Sequence, residues 1–162
     1  MRTYRDDDRI ADDARGAIWA IGNFDGLHRG HQALFARARR TSSSRGVHAG
    51  VLTFEPHPAK VLNPALAPPL ILTAPEKEQG IAAAGIDELC VLRFDHALAS
   101  LMPAEFVQRV LVDRLGAGGV VVGDGFRFGH KAAGGVDDLR RALPIVEVVA
   151  PVKEDGLVCS SS

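Results

Sequence analysis

The 162-residue chain predicts one α/β domain built on a mostly parallel sheet covered by helices on both faces. Three observations carry that expectation. Strand-like and helix-like patterns alternate along the chain. The hydrophobic share is 46%, enough for a real core. The segments richest in Gly, His and aromatic residues each follow a predicted strand, and open α/β sheets bind ligands at the carboxyl ends of their strands.

Taken in order, the apolar run at residues 17–21 reads as the first strand and residues 31–40 as a helix. In that helix Leu34, Phe35 and Ala38 share a face, with Arg37, Arg39 and Arg40 largely off it. Residues 47–54 form a second strand. Residues 55–72 hold five of the nine prolines (Pro56, Pro58, Pro64, Pro68, Pro69), a Pro-rich insertion expected to be irregular and functional. Thr73 and Glu76 have capping-box spacing, with Pro75 in the first turn, so a helix should run to about Ala84 and close at Gly85.

Residues 88–94 read as a third strand, and residues 103–115 as the clearest amphipathic helix, grouping Phe106, Val107, Val110 and Leu111 before Gly116. Residues 120–122 make a short buried strand, 136–143 a short helix and 145–149 a last core strand. No internal repeat or low-complexity tract divides the chain, so residues 1–162 are expected to form a single domain.

A net charge of −1, with no basic block, argues against a dedicated nucleic-acid or anionic-membrane surface. The charged segment from Arg2 to Arg15 has no apolar core, so it does not read as a secretory signal. No apolar run approaches the roughly 20 residues of a spanning helix. Cys90 lies in an apolar run and Cys159 near the last residue, which is no disulfide framework. A cytoplasmic protein is the expectation.

The decapeptide at residues 22–31, Gly-Asn-Phe-Asp-Gly-Leu-His-Arg-Gly-His, is the most informative stretch. It follows a buried strand and brings two imidazoles, His28 and His31, to one side of a helix start, where backbone N–H groups already favour anions. Three readings stay open for the pair alone: phosphate donors, zinc ligands without the usual companion Cys or carboxylate, or solvated histidines. In residues 53–58, Phe54, Pro56 and Pro58 offer rigid apolar surface for a flat ring, with His57 as a polar handle. Residues 123–129, Gly-Asp-Gly-Phe-Arg-Phe-Gly, are not a dinucleotide fingerprint, because the spacing is Gly-x-Gly-x-x-x-Gly and no acidic residue follows at the required distance. If extended, this stretch points Phe126 and Phe128 to one side, as cavity lining or as core. Ser160, Ser161 and Ser162 read either as hydroxyl donors at a helix start or as a plain terminus.

These segments, in this order, resemble a known family. The decapeptide is similar to the signature of the His-x-Gly-His nucleotidyltransferase superfamily, and in its longer form to the FMN adenylyltransferase module of bacterial FAD synthetases. Residues 53–58, residues 123–129 and the run Cys159-Ser160-Ser161-Ser162 match further motifs of that module. The resemblance implies a Rossmann-like nucleotidyltransferase fold and adenylyl transfer from ATP to FMN, giving FAD and pyrophosphate. It implies that His28 and His31 hold the ATP phosphates and that Gly22, Asn23 and Phe24 lie against the adenosine. Ser160, Ser161 and Ser162 would contact the phosphates as well. Phe54, His57, Pro58, Gly125, Phe126 and Phe128 would border the flavin.

Mg²⁺ would accompany the triphosphate without a dedicated protein metal site. Relatives of this kind often carry a riboflavin kinase domain after this module, expected here only in a longer protein. Gly125 stands where the family has Asn or Asp, Leu62 where an aromatic is common, and the sequence stops ahead of the motif's Ile-Arg. The alternatives are a related nucleotidyltransferase with another phosphate acceptor and a catalytically weak flavin or nucleotide binder.

Overall fold

A computed structural model describes residues 1–6, 8–24, 29–66 and 73–150, and the backbone of 153–154 and 157–158. The strands are β1 (Arg2–Arg5), β2 (Ile18–Ile21), β3 (Ala49–Glu55), β4 (Glu88–Arg93), β5 (Gly119–Gly123) and β6 (Val146–Val149). They form a six-stranded sheet in the order β1-β4-β3-β2-β5-β6, with every pairing parallel. A separate two-stranded antiparallel ribbon pairs β7 (Lys153–Glu154) with β8 (Leu157–Val158). The helices are α1 (Arg29–Arg45), α2 (Pro58–Leu62), α3 (Ala74–Ala83), α4 (His96–Ala99), α5 (Pro103–Phe106) and α6 (Val136–Ala142), with α5 continuing as a π-helix over Val107–Arg114.

The apolar strands bury both faces because their side chains alternate. Ile18, Ala20, Ala49, Val51, Leu89, Val91 and Val121 point to one face, where Leu34, Phe35 and Ala38 of α1 and Ile81 of α3 meet them. Trp19, Ile21, Leu52, Cys90, Leu92, Val120 and Val122 point to the other, against Phe106, Val107, Val110 and Leu111 and against Leu139 of α6. Burial pushes the Cys90 thiol up to about 11, so at neutral pH it is a protonated core residue, as its apolar setting implied. Gly50 of β3 lies under the Trp19 ring, and a Cβ there would sit 2.5 Å from it. Gly50→Ala is therefore expected to cost about 1–3 kcal/mol through overpacking, read as a fall in denaturation midpoint at unchanged slope.

The expected helix at 31–40 runs further at both ends, and the expected irregularity of 55–72 is interrupted. Pro58 stands at the first turn of α2, where its missing N–H costs nothing, and His57 caps that helix. Thr73 and Glu76 form the capping box expected of them, and Gly85 adopts φ +85° just past α3. The amphipathic helix keeps its face, but its second half widens, with the Leu115 N–H donating to the Val110 carbonyl at 3.0 Å.

The strand that sequence reading missed is β1. It buries only Tyr4 and is otherwise a charged edge, so no apolar pattern announces it. Its hold is tertiary. Arg2 pairs with the buried Glu88 of β4 and, at 2.7 Å, with Asp13, whose carboxyl the guanidinium holds below its usual range. His48 Nδ1 reaches Glu88 at 3.0 Å.

Candidate active site

With β1 set aside at its edge, the sheet order places β2 at the centre, with β3 and β4 wound to one side and β5 and β6 to the other. The order reverses between β2 and β5, and there the crossovers leave a crevice at the carboxyl ends of the strands. A cavity of about 690 Å³ opens at that point. Its floor comes from the ends of the two strands: Ile21, Gly22 and Asn23 from β2, Gly123 and Asp124 from β5.

One wall is aromatic. Phe94 meets Phe54 edge to face at 6.2 Å, Phe54 meets Phe106 at 6.4 Å, and Phe106 meets Phe128 at 5.3 Å. Phe126 stacks on Phe128 at 5.7 Å and 22°. The five rings all line the cavity, with Pro58 and Leu62 of α2 beside them. Phe128 is buried and braces the wall, while Phe126 is only half-buried. Both rings line the cavity, and Phe128 belongs to the core as well. A planar heteroaromatic ligand could lie against this surface and gain from stacking as well as from area.

At the other end the cavity is lined by Gly22 and Asn23, after β2, and by Leu34 of α1, whereas Phe24 and His31 lie beneath the surface and do not line it. His31, in the first turn of α1, is fully buried, with its ring edge-on to Phe24 at 5.1 Å. Phe24, expected beside a nucleoside, is itself fully buried against His31 and Phe35, with φ +50°. Its ring folds back under the turn, so that a Cβ on Gly22 would meet it at 2.9 Å. The structure therefore gives Gly22 a local reason, the return of Phe24, in addition to any approach by a ligand. His28, Ser160, Ser161 and Ser162 lie outside the described residues.

Two other singled-out positions stand off the main cavity. His57 does not line it, and its Nδ1 accepts the Ala59 N–H at 3.0 Å as the cap of α2. Gly125, at φ +81°, borders a shallower depression beside Asp137 and Asp138. The neighbouring Asp124 faces the cavity instead and is the one carboxylate among its described lining residues.

Sequence reading missed Phe94, Phe106, His96, Asp124, Arg127, His130 and Lys131 as lining residues. Phe94 and Asp124 had an available signal, since Phe94 ends one predicted strand and Asp124 closely follows another. Phe106 was legible only as helix core. His96 opens α4 and Lys131 lies in the turn between β5 and α6, and no local pattern encodes the approach of either to the cavity.

The comparisons with known proteins agree with this architecture. A family model described as FAD synthetase matches residues 10–162. A bifunctional riboflavin kinase/FMN adenylyltransferase of Pseudomonas fluorescens is 39% identical over 166 residues, an alignment that covers 100% of this chain and 53% of the relative. Its counterpart in Escherichia coli (strain K12) is 37% identical over 114 residues, 70% of this chain and 36% of that protein. The chain thus spans about half the length, or less, of these two relatives.

Among solved structures, one described as a macrolide-efflux protein from Streptococcus pneumoniae has a TM-score of 0.83 at 28% identity, over 99% of this chain and 54% of that one. A pantothenate synthetase from Thermus thermophilus has a TM-score of 0.63 at 21% identity, over 99% and 66%, which shows a common fold. No helix among the described residues is long and apolar enough to cross a membrane.

Proposed function

Because this chain belongs to the FAD synthetase family, we propose that it transfers the adenylyl group of ATP to FMN, releasing pyrophosphate and forming FAD. The observation that carries the reading is the cavity at the β2/β5 reversal, with an aromatic wall on one side and, on the other, Gly22 and Asn23 after β2 with Leu34 of α1. A flat ring and a polyphosphate need those two unlike surfaces.

The flavin lies against Phe54, Pro58, Phe126 and Phe128, with Phe94 extending the surface. The adenosine lies over Gly22 and Asn23. The triphosphate is held at the start of α1 by His28 and His31, and by the hydroxyls of Ser160, Ser161 and Ser162. An FMN phosphate oxygen attacks the α-phosphorus of ATP as the bond to the bridging oxygen of pyrophosphate breaks, and pyrophosphate leaves with that electron pair. No covalent enzyme intermediate is required. The protein contributes alignment of two anions and donors aimed at the charge that builds on the leaving group.

Mg²⁺ bound with the triphosphate would supply charge neutralisation there. Such an ion takes most of its ligands from phosphates and water, and Asp124 is an oxygen donor in the cavity that fits this modest demand. Incubation with FMN, ATP and Mg²⁺ followed by chromatography should show FAD and pyrophosphate in equal amounts. Tight flavin and ATP binding with no product would reduce the proposal to a binding module. FAD replaced by another adenylylated product, with a different phosphate acceptor supplied, would move it to a related nucleotidyltransferase.

A further inference from the structure

We infer that Lys131, with His130 beside it, clamps the phosphate monoester of the acceptor substrate, an assignment that rests on the adenylyl-transfer reading above. The loop between Phe128 and Gly134 is closed like a clasp. Each of these two residues donates its N–H to the other's carbonyl, at 3.2 and 2.8 Å. The His130 N–H donates to the Leu101 carbonyl at 2.8 Å, tying the loop to the chain beyond α4. Within this frame Lys131 and Ala132 stand consecutively in the left-handed region, at φ +53° and +55°.

Side chains other than Gly, Asn and Asp rarely occupy that region, and such positions concentrate at sites where the side chain is used. A glycine would satisfy the backbone better than lysine does. Lys131 and His130 both line the cavity, and Lys131 is exposed there.

The local charges sharpen the assignment. Arg127, the other full cation of this wall, turns back to donate from Nε to the Ala132 carbonyl at 3.2 Å, and its Nη1 lies 2.8 Å from where a Cβ on Gly135 would stand. Among the described residues Lys131 enters no ion pair. Its ammonium is therefore an uncommitted cation at a cavity whose apolar wall already suits a neutral ring. The ring does not need it. A phosphate monoester does, because it carries up to two negative charges and must approach a second polyanion in order to react. His130 can add an N–H donor beside the ammonium.

Titrations of FMN, riboflavin and ATP against the unaltered protein, Lys131→Gly and Lys131→Arg test the assignment. Lys131→Gly should hold or raise the melting temperature, since glycine suits the left-handed backbone. It should weaken FMN binding about tenfold, as loss of one exposed charge-assisted contact implies, and leave riboflavin binding within about twofold. Lys131→Arg should keep the preference for FMN over riboflavin, and that preference should shrink in about 0.5 M salt.

A Lys131→Gly protein that still favours FMN over riboflavin by the original ratio overturns the clamp, as does one that loses both flavins equally. Weakened ATP binding with intact FMN binding overturns the assignment to the acceptor. If the unaltered protein binds neither flavin, the adenylyl-transfer reading itself fails, and the clamp with it.

Discussion

His31→Ala should lower the rate of FAD formation by about a hundredfold or more and the melting temperature by roughly 4–8 °C. Both losses have the same origin. The ring is placed in the first turn of α1, beside the backbone donors that favour a polyphosphate, and a donor removed from a developing charge costs on that scale. It is also fully buried, packed edge-on to Phe24, a residue with left-handed backbone whose ring also packs on Phe35. Truncation leaves a void of ring size there, for which about 2 kcal/mol is a fair expectation.

The decapeptide alone suggests a different ratio, a functional loss far exceeding any loss of stability, because a helix-start histidine is normally exposed. Burial under the turn changes that ratio. Single-turnover assays and thermal melts on the same preparation provide the check. A variant with undiminished turnover would remove His31 from the phosphate site.

Gly123→Val should weaken the binding of both substrates by more than about tenfold while leaving the fold at least as stable as before. Two glycines of β5 make the contrast. At Gly119 a Cβ would stand 2.6 Å from that of Ile145, so its bareness is required by packing. At Gly123 nothing lies within 4 Å of the Cβ position, and the residue lines the cavity floor where the strand order reverses. Valine suits an extended backbone, so a small gain in stability is the structural expectation. Its isopropyl group would occupy the space between the aromatic wall and the end of β2. Titration of FMN and ATP should show each weakened by more than about tenfold, since overlap with a ligand costs over about 1.4 kcal/mol. Unchanged affinity for both would mean that ligands do not reach this floor.

Much of the fold can be read from local pattern. The unbroken apolar run of Ile18, Trp19, Ala20 and Ile21 is enough to mark a strand buried on both sides. The Thr73–Glu76 box and Gly85 bracket a helix through backbone chemistry alone. The limits appear where an element owes its existence to a distant partner. β1 carries one buried side chain and is held by Glu88, more than eighty positions away in sequence. The widened turn after Phe106 is likewise invisible, because its side chains keep an amphipathic spacing whichever backbone bond is made. The helix α2 was obscured by Pro58 and the prolines on either side, although Pro58 stands in the first turn, where a helix tolerates it.

The candidate site divides in the same way. Phe54, Pro58, Phe126 and Phe128 were legible because they lie at or just after strand ends, and the cavity does gather them. His57 and Phe24 carry the right chemistry in the right motifs, yet one caps a helix and the other fills the core. A motif states which side chains are present, whereas burial and capping depend on neighbours brought in by the rest of the chain.

By itself, then, the sequence determined the family, the alternating α/β architecture and the segments that border a ligand, because periodicity, caps and short motifs are local properties. Only the tertiary structure decided that β1 completes the sheet, that five phenylalanines from separate regions make one wall, and that Lys131 lines the same cavity. Those outcomes depend on the parallel sheet bringing together strand ends and loops far apart in the chain, and no window of neighbouring residues contains that information.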